Sequence, residues 1–197
     1  MQVGLLGGTF NPPHIGHLVI ATQAVAVLGL DRVLFVPVNE PPHKAIDGGD
    51  PGVEHRVAMC RLAVAGDERL AVSLVDAEVP GPSFTVDTLS RLHDRCPGDQ
   101  LTFLVGGDMA LSLPSWREPA AILSLASLGV AEREGVARAD ITERLADLGT
   151  ENVEFFDMPR VDVSSSLIRR YVAVGRPIRH LVPDAVAEYI EREGLYR

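Results

Sequence analysis

Short apolar runs alternate with longer segments along most of the chain. The short runs end at turn-forming residues and predict buried strands, whereas the longer segments carry apolar residues at helical spacing and predict helices. The predicted strands span residues 3–6, 33–37, 70–74, 101–105, 128–131 and 153–156. The predicted helices span residues 12–28, 53–65, 85–95, 119–125, 165–174 and 183–193, with one more after residue 139.

This alternation is typical of a series of β-α-β units. Such units form a parallel sheet with right-handed crossovers, and ligands bind beyond the carboxyl ends of its strands. We therefore predict an α/β fold, a Rossmann-like doubly wound parallel sheet with helices on both faces and a small C-terminal helical part. Residues 1–197 are expected to form a single domain. A loop as long as residues 38–52 is usually functional or mobile, and the sequence leaves open whether it closes over substrate.

Composition and charge narrow the classes of ligand. The 197 residues, 46% of them apolar, are enough to bury one core. A formal net charge of −9 without a basic run argues against a nucleic-acid partner, although a local cationic pocket can still hold a small anion. Any phosphate ligand should therefore be small.

The cysteines and the apolar stretches bear on the cellular compartment. Cys60 and Cys96 are expected to be reduced, since a core of this size needs no disulfide. The first residues lack the pattern of a signal peptide, and the longest apolar stretch, residues 18–30, is broken by Thr22 and Gln23. We expect a cytoplasmic protein without a membrane partner.

The segment GGTFNPPHIGH, residues 7–17, follows the first predicted strand. Gly7 and Gly8 leave room for backbone amides to approach an anion, and the next helix offers unpaired N–H groups at its start. A phosphate cradle is the functional interpretation, and a simple tight turn is the alternative.

His14 and His17, three residues apart, are predicted to face the same side of the first helical turn. Imidazoles at that place can donate hydrogen bonds to phosphate oxygens as charge develops in a transition state. A zinc site would need a third ligand, and no HExxH-like set supplies one. Ordinary capping or surface histidines are the other alternative.

A second candidate anion site lies near the C-terminus, in VSSSLIR at residues 163–169. Ser164, Ser165 and Ser166 are good N-cap residues for the helix that follows, and Arg169 comes one turn later. On its own this segment would also fit a plain serine cap with a solvated arginine.

Together, the two segments resemble the signatures of a known family. GGTFNPPHIGH is similar to the opening of the nucleotidylyltransferase superfamily, whose (T/H)xGH motif is HIGH here, and most of all to the bacterial nicotinate mononucleotide adenylyltransferases. VSSSLIR is similar to their ISSTxIR, with Val163 for Ile and Ser166 for Thr. The resemblance covers nearly the whole chain, although Asn11 stands where many members have Asp.

The resemblance implies transfer of the adenylyl group of ATP to nicotinate mononucleotide in NAD biosynthesis, with Mg²⁺ accompanying ATP. Small molecules would then be the partners, and a homo-oligomer is compatible with the sequence. The implied catalytic residues are His14, His17, Lys44 of PPHK, and Arg169. The implied ATP-binding residues are Gly7, Gly8, Thr9, Phe10, Gly106, Asp108, Ser165, Ser166 and Ile168.

The resemblance also implies a site for the mononucleotide. PSFTVDTL resembles the family's (P/S)YTxDTL, and Thr85 would recognise the nicotinate carboxylate while Trp116 stacks on the pyridine ring. Arg117 replaces the usual aromatic or histidine and could contact that carboxylate; Arg133 would contact the mononucleotide or only solvent. Without the resemblance, Thr85 and Asp108 fit helix caps, Trp116 fits a buried core residue, and Lys44 fits a solvated side chain.

Two alternatives stay open. One is a related adenylyltransferase with another phosphate acceptor, phosphopantetheine or nicotinamide mononucleotide. The other is a nucleotide sensor that binds without turnover. A dehydrogenase is disfavoured, because the opening glycines do not form GxGxxG.

Overall fold

The structure, a computed structural model, describes residues 1–42, 49–132 and 135–197. Its strands are β1 (Gln2–Gly8), β2 (Arg32–Pro37), β3 (Leu70–Val72), β4 (Gln100–Gly106), β5 (Ser127–Ala131) and β6 (Val153–Phe156). Its α-helices are α1 (Ile15–Leu28), α2 (Val53–Val64), α3 (Thr85–Arg95), α4 (Gly107–Ser112), α5 (Pro119–Leu125), α6 (Arg138–Leu145), α7 (Ser165–Ala173) and α8 (Asp184–Arg192). Two 3₁₀ turns, Leu113–Ser115 and Ala146–Leu148, follow α4 and α6.

The strands form one parallel sheet in the order β3-β2-β1-β4-β5-β6. The chain builds outward from β1 through β2 to β3, then returns to place β4 on the other side of β1. Leu5 of β1 is in register with Leu34 of β2 and with Phe103 of β4. Strand order therefore reverses between β1 and β4, and in such sheets the crevice at that point binds ligands.

Helices cover both faces of the sheet, as the alternation predicted. Neighbouring residues of one strand point to opposite faces, so Leu5 and Phe103 pack in one apolar cluster and Leu6 and Leu104 in the other. The first cluster includes residues of α3 and α5, and the second includes residues of α1 and α2. The predicted doubly wound α/β fold is confirmed.

The small C-terminal helical part is also confirmed. α7 and α8 bury Ile168, Val186 and Ile190 in a third apolar cluster, together with Met59 and Ala63 of α2. This packing brings the C-terminal segment against the end of the sheet that carries the β1–α1 loop.

Three local predictions need correction. α1 begins at Ile15, with His14 as its N-cap, so His14 precedes the first helical turn instead of lying on it. β3 ends at Val72 because the chain then turns, with the amide of Glu78 bonded to the carbonyl of Leu74. α4 is absent from the predicted elements, since a six-residue helix directly after a strand is too short to show helical periodicity.

Two expectations about the compartment can be compared with the structure. Cys60 is buried and Cys96 is exposed, and both are free thiols as predicted. Burial raises the pKa of the Cys60 thiol. Among the described residues, no helix combines the length and the apolar composition needed to cross a bilayer.

Candidate active site

The start of the β1–α1 loop is tightly packed at Gly8. A Cβ on Gly8 would lie 3.2 Å from the ring of Phe10, so a side chain there would crowd the ring. Phe10 itself has a φ of 50° and is buried against Phe35, with ring centroids 5.3 Å apart. The Phe10 side chain therefore belongs to the core, and what this predicted ATP-binding residue can offer a nucleotide is its backbone.

The histidine pair lies where this loop becomes α1. The backbone N–H of His14 donates to Nδ1 of His17 at 3.1 Å. Because Nδ1 accepts, a neutral His17 ring carries its hydrogen on Nε2, which can act as a donor. The two rings are close, with centroids 3.8 Å apart, and a Cβ on Gly16 would come within 3.0 Å of the His14 ring. A side chain at position 16 would therefore crowd the His14 ring.

A cavity of about 340 Å³ lies in front of the pair, and we call it the polar cavity because His14, His17, Asp108 and Ser164 line it. Its wall unites the carboxyl end of β4 and the start of α4 with the start of α7, two regions that are distant in sequence. The residues lining it are His14, Gly16, His17, Ile20, Gly106, Gly107, Asp108, Met109, Val136, Val163 and Ser164. The predicted residues Gly106 and Asp108 therefore share one cavity with both histidines. Asp108 is the second residue of α4, and the N-cap is Gly106, so the helix-cap interpretation of Asp108 does not hold.

The serine motif contacts the β1–α1 loop directly. Ser164 is the N-cap of α7 and accepts a hydrogen bond from the amide of Leu167 at 3.1 Å. Ser165 Oγ donates to the carbonyl of Pro12 at 2.8 Å, and Nη1 of Arg169 donates to the carbonyl of Asn11 at 2.8 Å. The two motifs, some 150 residues apart, thus form one structural unit.

Two predicted residues of this motif have different surroundings. Ser166 Oγ lies 3.4 Å from Nη2 of Arg169, and both residues line a cavity of about 440 Å³ together with Arg170, Tyr196 and Arg197. Ile168 is fully buried in the third apolar cluster, so its side chain anchors α7 and lines neither cavity.

A third cavity, of about 230 Å³, lies on the other side of the β1 carboxyl end. Its walls are mostly apolar and come from the sheet, α3 and α5. The residues lining it are Leu5, Gly7, Gly8, Thr9, Val36, Val38, Pro41, Pro42, Asp76, Ser83, Phe84, Thr85, Thr88, Leu89, Phe103, Met109, Trp116, Arg117 and Ile122. Gly7, Gly8 and Thr9, predicted to bind ATP, line this apolar cavity and are absent from the wall of the polar one.

Trp116 is fixed edge-on in the apolar cavity. Its ring meets that of Phe103 at an interplanar angle of 74°, with centroids 5.9 Å apart, and its Nε1 donates to Ser112 Oγ at 3.0 Å. Thr85 is the first residue of α3, whose N-cap is Phe84, so the interpretation of Thr85 as the N-cap does not hold. The Trp116 indole and the start of α3 therefore line the same cavity.

Arg117 lies at the rim of the same cavity. Its guanidinium carbon is 4.9 Å from the centroid of the Phe84 ring. It also forms ion pairs with Asp87 at 3.2 Å and with Glu118 at 3.4 Å. These partners offset part of its charge and orient the guanidinium over the entrance.

The motif analysis missed a buried carboxylate in the apolar cavity. Asp76 is 2% exposed, and both its oxygens accept hydrogen bonds from Thr88 Oγ1, at 2.9 and 2.8 Å. Burial raises the pKa of Asp76, opposed by the Thr88 hydrogen bond and by Arg91, whose Nη1 lies 3.2 Å away. An aspartate directly after the apolar residues Leu74 and Val75 is the signal that could have revealed it.

Arg56 was missed as well, and it joins the β1–α1 loop to the segment that follows β2. It is 1% exposed and donates to the carbonyls of Thr9, Val38 and Asn39, at 3.0, 2.7 and 2.8 Å, and to Asp50 Oδ1 at 3.2 Å. A guanidinium buried with this many acceptors fixes the loops that supply them. Arg56 occupies the buried face of α2 one turn before Cys60, a position where the helical pattern calls for an apolar residue.

The remaining predicted site residues, Lys44 and Arg133, lie outside the described residues.

The chain is similar to known proteins in sequence and in fold. A family model described as cytidylyltransferase-like matches residues 5–171. A protein of Thermomicrobium roseum, named "Probable nicotinate-nucleotide adenylyltransferase", is 43% identical over 198 residues, covering 100% of this chain and 92% of that protein. A protein of the same name from a Roseiflexus species is 45% identical over 197 residues, covering 99% and 98% of the two chains.

A solved structure has the same fold at low sequence identity. The Plasmodium falciparum nicotinic acid mononucleotide adenylyltransferase complexed with NaAD superposes with a TM-score of 0.79 at 17% identity, covering 99% of this chain and 97% of that chain. The family match spans most of the sequence, and the relatives are similar over their full length. The chain therefore belongs to the cytidylyltransferase-like family, within its group of nicotinate-nucleotide adenylyltransferases.

Proposed function

We propose that this protein transfers the adenylyl group of ATP to nicotinate mononucleotide, giving nicotinate adenine dinucleotide and pyrophosphate. The observation that carries the proposal is the pair of cavities on either side of the β1 carboxyl end, one polar with two histidines and one apolar with an indole. Met109 lines both, so ligands bound in the two cavities would be in reach of each other.

The reaction needs no nucleophile from the protein. The 5′-phosphate of the mononucleotide attacks the α-phosphorus of ATP, a new P–O bond forms, and the bond to the bridging oxygen of pyrophosphate breaks. The protein's task is to align two anions and to stabilise the charge that develops, which oriented donors do well. His17 Nε2 is such a donor because the bond to His14 fixes the tautomer. His14, Arg169 and Lys44 would supply further positive or donor groups.

We assign the polar cavity to ATP and the apolar cavity to the mononucleotide. Gly106, Asp108 and the start of α7 would surround the nucleotide, while Trp116 stacks on the pyridine ring and Thr85 with its neighbouring amides receives the carboxylate. Arg117, oriented over the entrance, would attract the anionic substrate. Arg133 would contact the mononucleotide.

Mg²⁺ would enter with ATP, bound by phosphate oxygens and water, and it would neutralise charge on the leaving pyrophosphate. Within the described part of the chain, no group of three or more His, Cys, Asp and Glu side chains is placed to hold a metal alone. Asp108 gives the wall of the polar cavity one carboxylate. A wall of this kind suits a cation that enters already bound to its substrate. We place this activity in a single domain over residues 1–197, in the cytoplasm, with small-molecule partners and without nucleic acid or membrane.

The test is pyrophosphate release by the purified protein with ATP, Mg²⁺ and either nicotinate or nicotinamide mononucleotide. We expect turnover with the acid form well above that with the amide. Turnover with the amide or with phosphopantetheine instead would assign another acceptor, and ATP binding without release for any acceptor would favour a sensor.

A further inference from the structure

Three groups from the C-terminal part of the chain converge on two residues of the β1–α1 loop. Ser165 bonds the carbonyl of Pro12, and Arg169 bonds the carbonyl of Asn11. The third group is the hydroxyl of Tyr196, the next-to-last residue, which donates to Oδ1 of Asn11 at 2.6 Å. The family motifs contain the first two groups, whereas Tyr196 lies outside them.

The Asn11 side chain depends on this contact. Asn11 is 6% exposed, so its amide oxygen is largely withdrawn from water. A buried carbonyl oxygen that loses its donor is destabilised, and the residue then tends to reorient. Since the Asn11 carbonyl also receives Arg169, a reoriented Asn11 would displace the guanidinium that the proposed function assigns to ATP.

The backbone at Tyr196 has an unusual conformation. Its φ is 64°, in the left-handed region that residues with a side chain rarely adopt, and it follows Gly194, which also has a φ of 64°. Such a conformation persists where surrounding contacts hold it, and these positions concentrate at functional sites. Here the turn after α8 directs the Tyr196 ring back toward the loop.

The surroundings of the hydroxyl keep it a donor. Burial raises the pKa of Tyr196, with Asp50 adding to the effect and Arg169 and Arg56 opposing it. The hydroxyl therefore stays protonated at neutral pH. Tyr196 also lines the 440 Å³ cavity beside Ser166 and Arg169, which places it at the predicted phosphate-binding helix.

We propose that Tyr196 is a positioning residue for ATP: its hydroxyl fixes the Asn11 side chain and, through the Asn11 carbonyl, the Arg169 guanidinium. This inference rests on the proposed function for its kinetic consequences. It assigns the C-terminal residues a role in catalysis as well as in packing. The mononucleotide cavity makes no contact with Tyr196, so its affinity should not depend on the hydroxyl.

The test is Tyr196→Phe, which removes the hydroxyl and keeps the ring. We expect KM for ATP to rise and kcat to fall, by about tenfold in kcat/KM for ATP, because small displacements of positioning groups are costly. KM for the mononucleotide should not change. Tyr189→Phe is the matched control: its hydroxyl lies 2.8 Å from His55 Nδ1 between α8 and α2, and its loss should leave the kinetics unchanged.

Two further measurements separate positioning from packing and from the proposed function. Asn11→Ala should lower kcat/KM for ATP similarly, and adding Tyr196→Phe to it should have little further effect. The inference is overturned if the losses of the two single variants multiply in the double variant, or if Tyr196→Phe keeps wild-type kinetics. Either result leaves the proposed function standing. If the wild type releases no pyrophosphate, the proposed function fails, and calorimetric binding of ATP with Mg²⁺ decides the inference alone: about tenfold weaker binding by Tyr196→Phe supports it, and equal binding rejects it.

Discussion

The polar and apolar cavities differ in how their walls are held. The polar wall consists of loop and helix-start residues, and the β1–α1 loop beside it is bonded to α7 and the C-terminus by single hydrogen bonds across the sequence. The apolar wall is part of the main core, since Leu5, Leu89, Phe103 and Ile122 belong both to the cavity and to the first apolar cluster.

This difference separates two tasks. Directional donors stabilise charge that develops during reaction, whereas a shaped apolar wall recognises a ring that is the same before and after. Changes in the polar cavity should therefore appear mainly in kcat, and changes in the apolar cavity mainly in KM for the mononucleotide.

The largest effect is expected for His17→Ala. It removes the Nε2 donor, and loss of one preorganised transition-state donor costs on the order of a hundredfold in kcat. KM for the mononucleotide should be little changed. Steady-state pyrophosphate release measures both constants.

The matched control is His93→Ala, in the last turn of α3, where the side chain is exposed and away from both cavities. This variant should keep wild-type kinetics. A His17→Ala enzyme with near-normal kcat, or with its loss confined to KM for the mononucleotide, would contradict this division of tasks. The polar cavity would then not be the one that stabilises the developing charge.

Arg56→Lys tests the link between the β1–α1 loop and the segment that follows β2. Lysine keeps the charge but cannot donate in a fork to the carbonyls of Thr9, Val38 and Asn39, so buried acceptors lose donors. We expect the free energy of unfolding to fall by about 2 kcal/mol. Thr9 and Val38 line the apolar cavity, and Thr9 also lies in the β1–α1 loop that carries His14. KM should therefore rise for both substrates.

Urea unfolding measures the change in stability. Arg69→Lys serves as the control, since Arg69 is exposed and pairs with Asp67 at the surface, where such changes stay within about 0.5 kcal/mol. Equal effects of the two substitutions would mean that the Arg56 contacts do not hold the loops.

Sequence reasoning succeeded where the signal is local. The strands β1, β4 and β5 are short apolar runs buried along most of their length, so their positions follow from the runs themselves. The histidines and serines of the two motifs were predicted as site residues because a helix start can bind anions and because the two segments together resemble a family signature. Arg56 and Asp76 were also visible in principle, as charges interrupting buried positions.

The contacts between distant segments could not be predicted. Nothing near Asn11 indicates that Tyr196, 185 residues later, donates to its side chain. Likewise, the motif alone assigns Phe10 to the nucleotide. Only its packing against Gly8 and Phe35 shows that its ring belongs to the core. Local pattern identifies the chemical groups, but tertiary packing decides which cavity each one faces.

The smallest of the three effects is expected for Trp116→Ala in the apolar cavity. Stacking of an aromatic side chain on a nucleobase is worth about 1–3 kcal/mol, so KM for the mononucleotide should rise about tenfold while KM for ATP and kcat change little. Trp116→Phe, which keeps an aromatic face but loses the Nε1 bond to Ser112, should show a smaller increase. Because Trp116 also packs edge-on against Phe103, thermal unfolding of both variants must accompany the kinetics. An equal rise of KM for both substrates would mean that the indole supports the whole crevice, and recognition of the pyridine ring would then have to come from the Phe84, Thr85 and Arg117 side of the cavity.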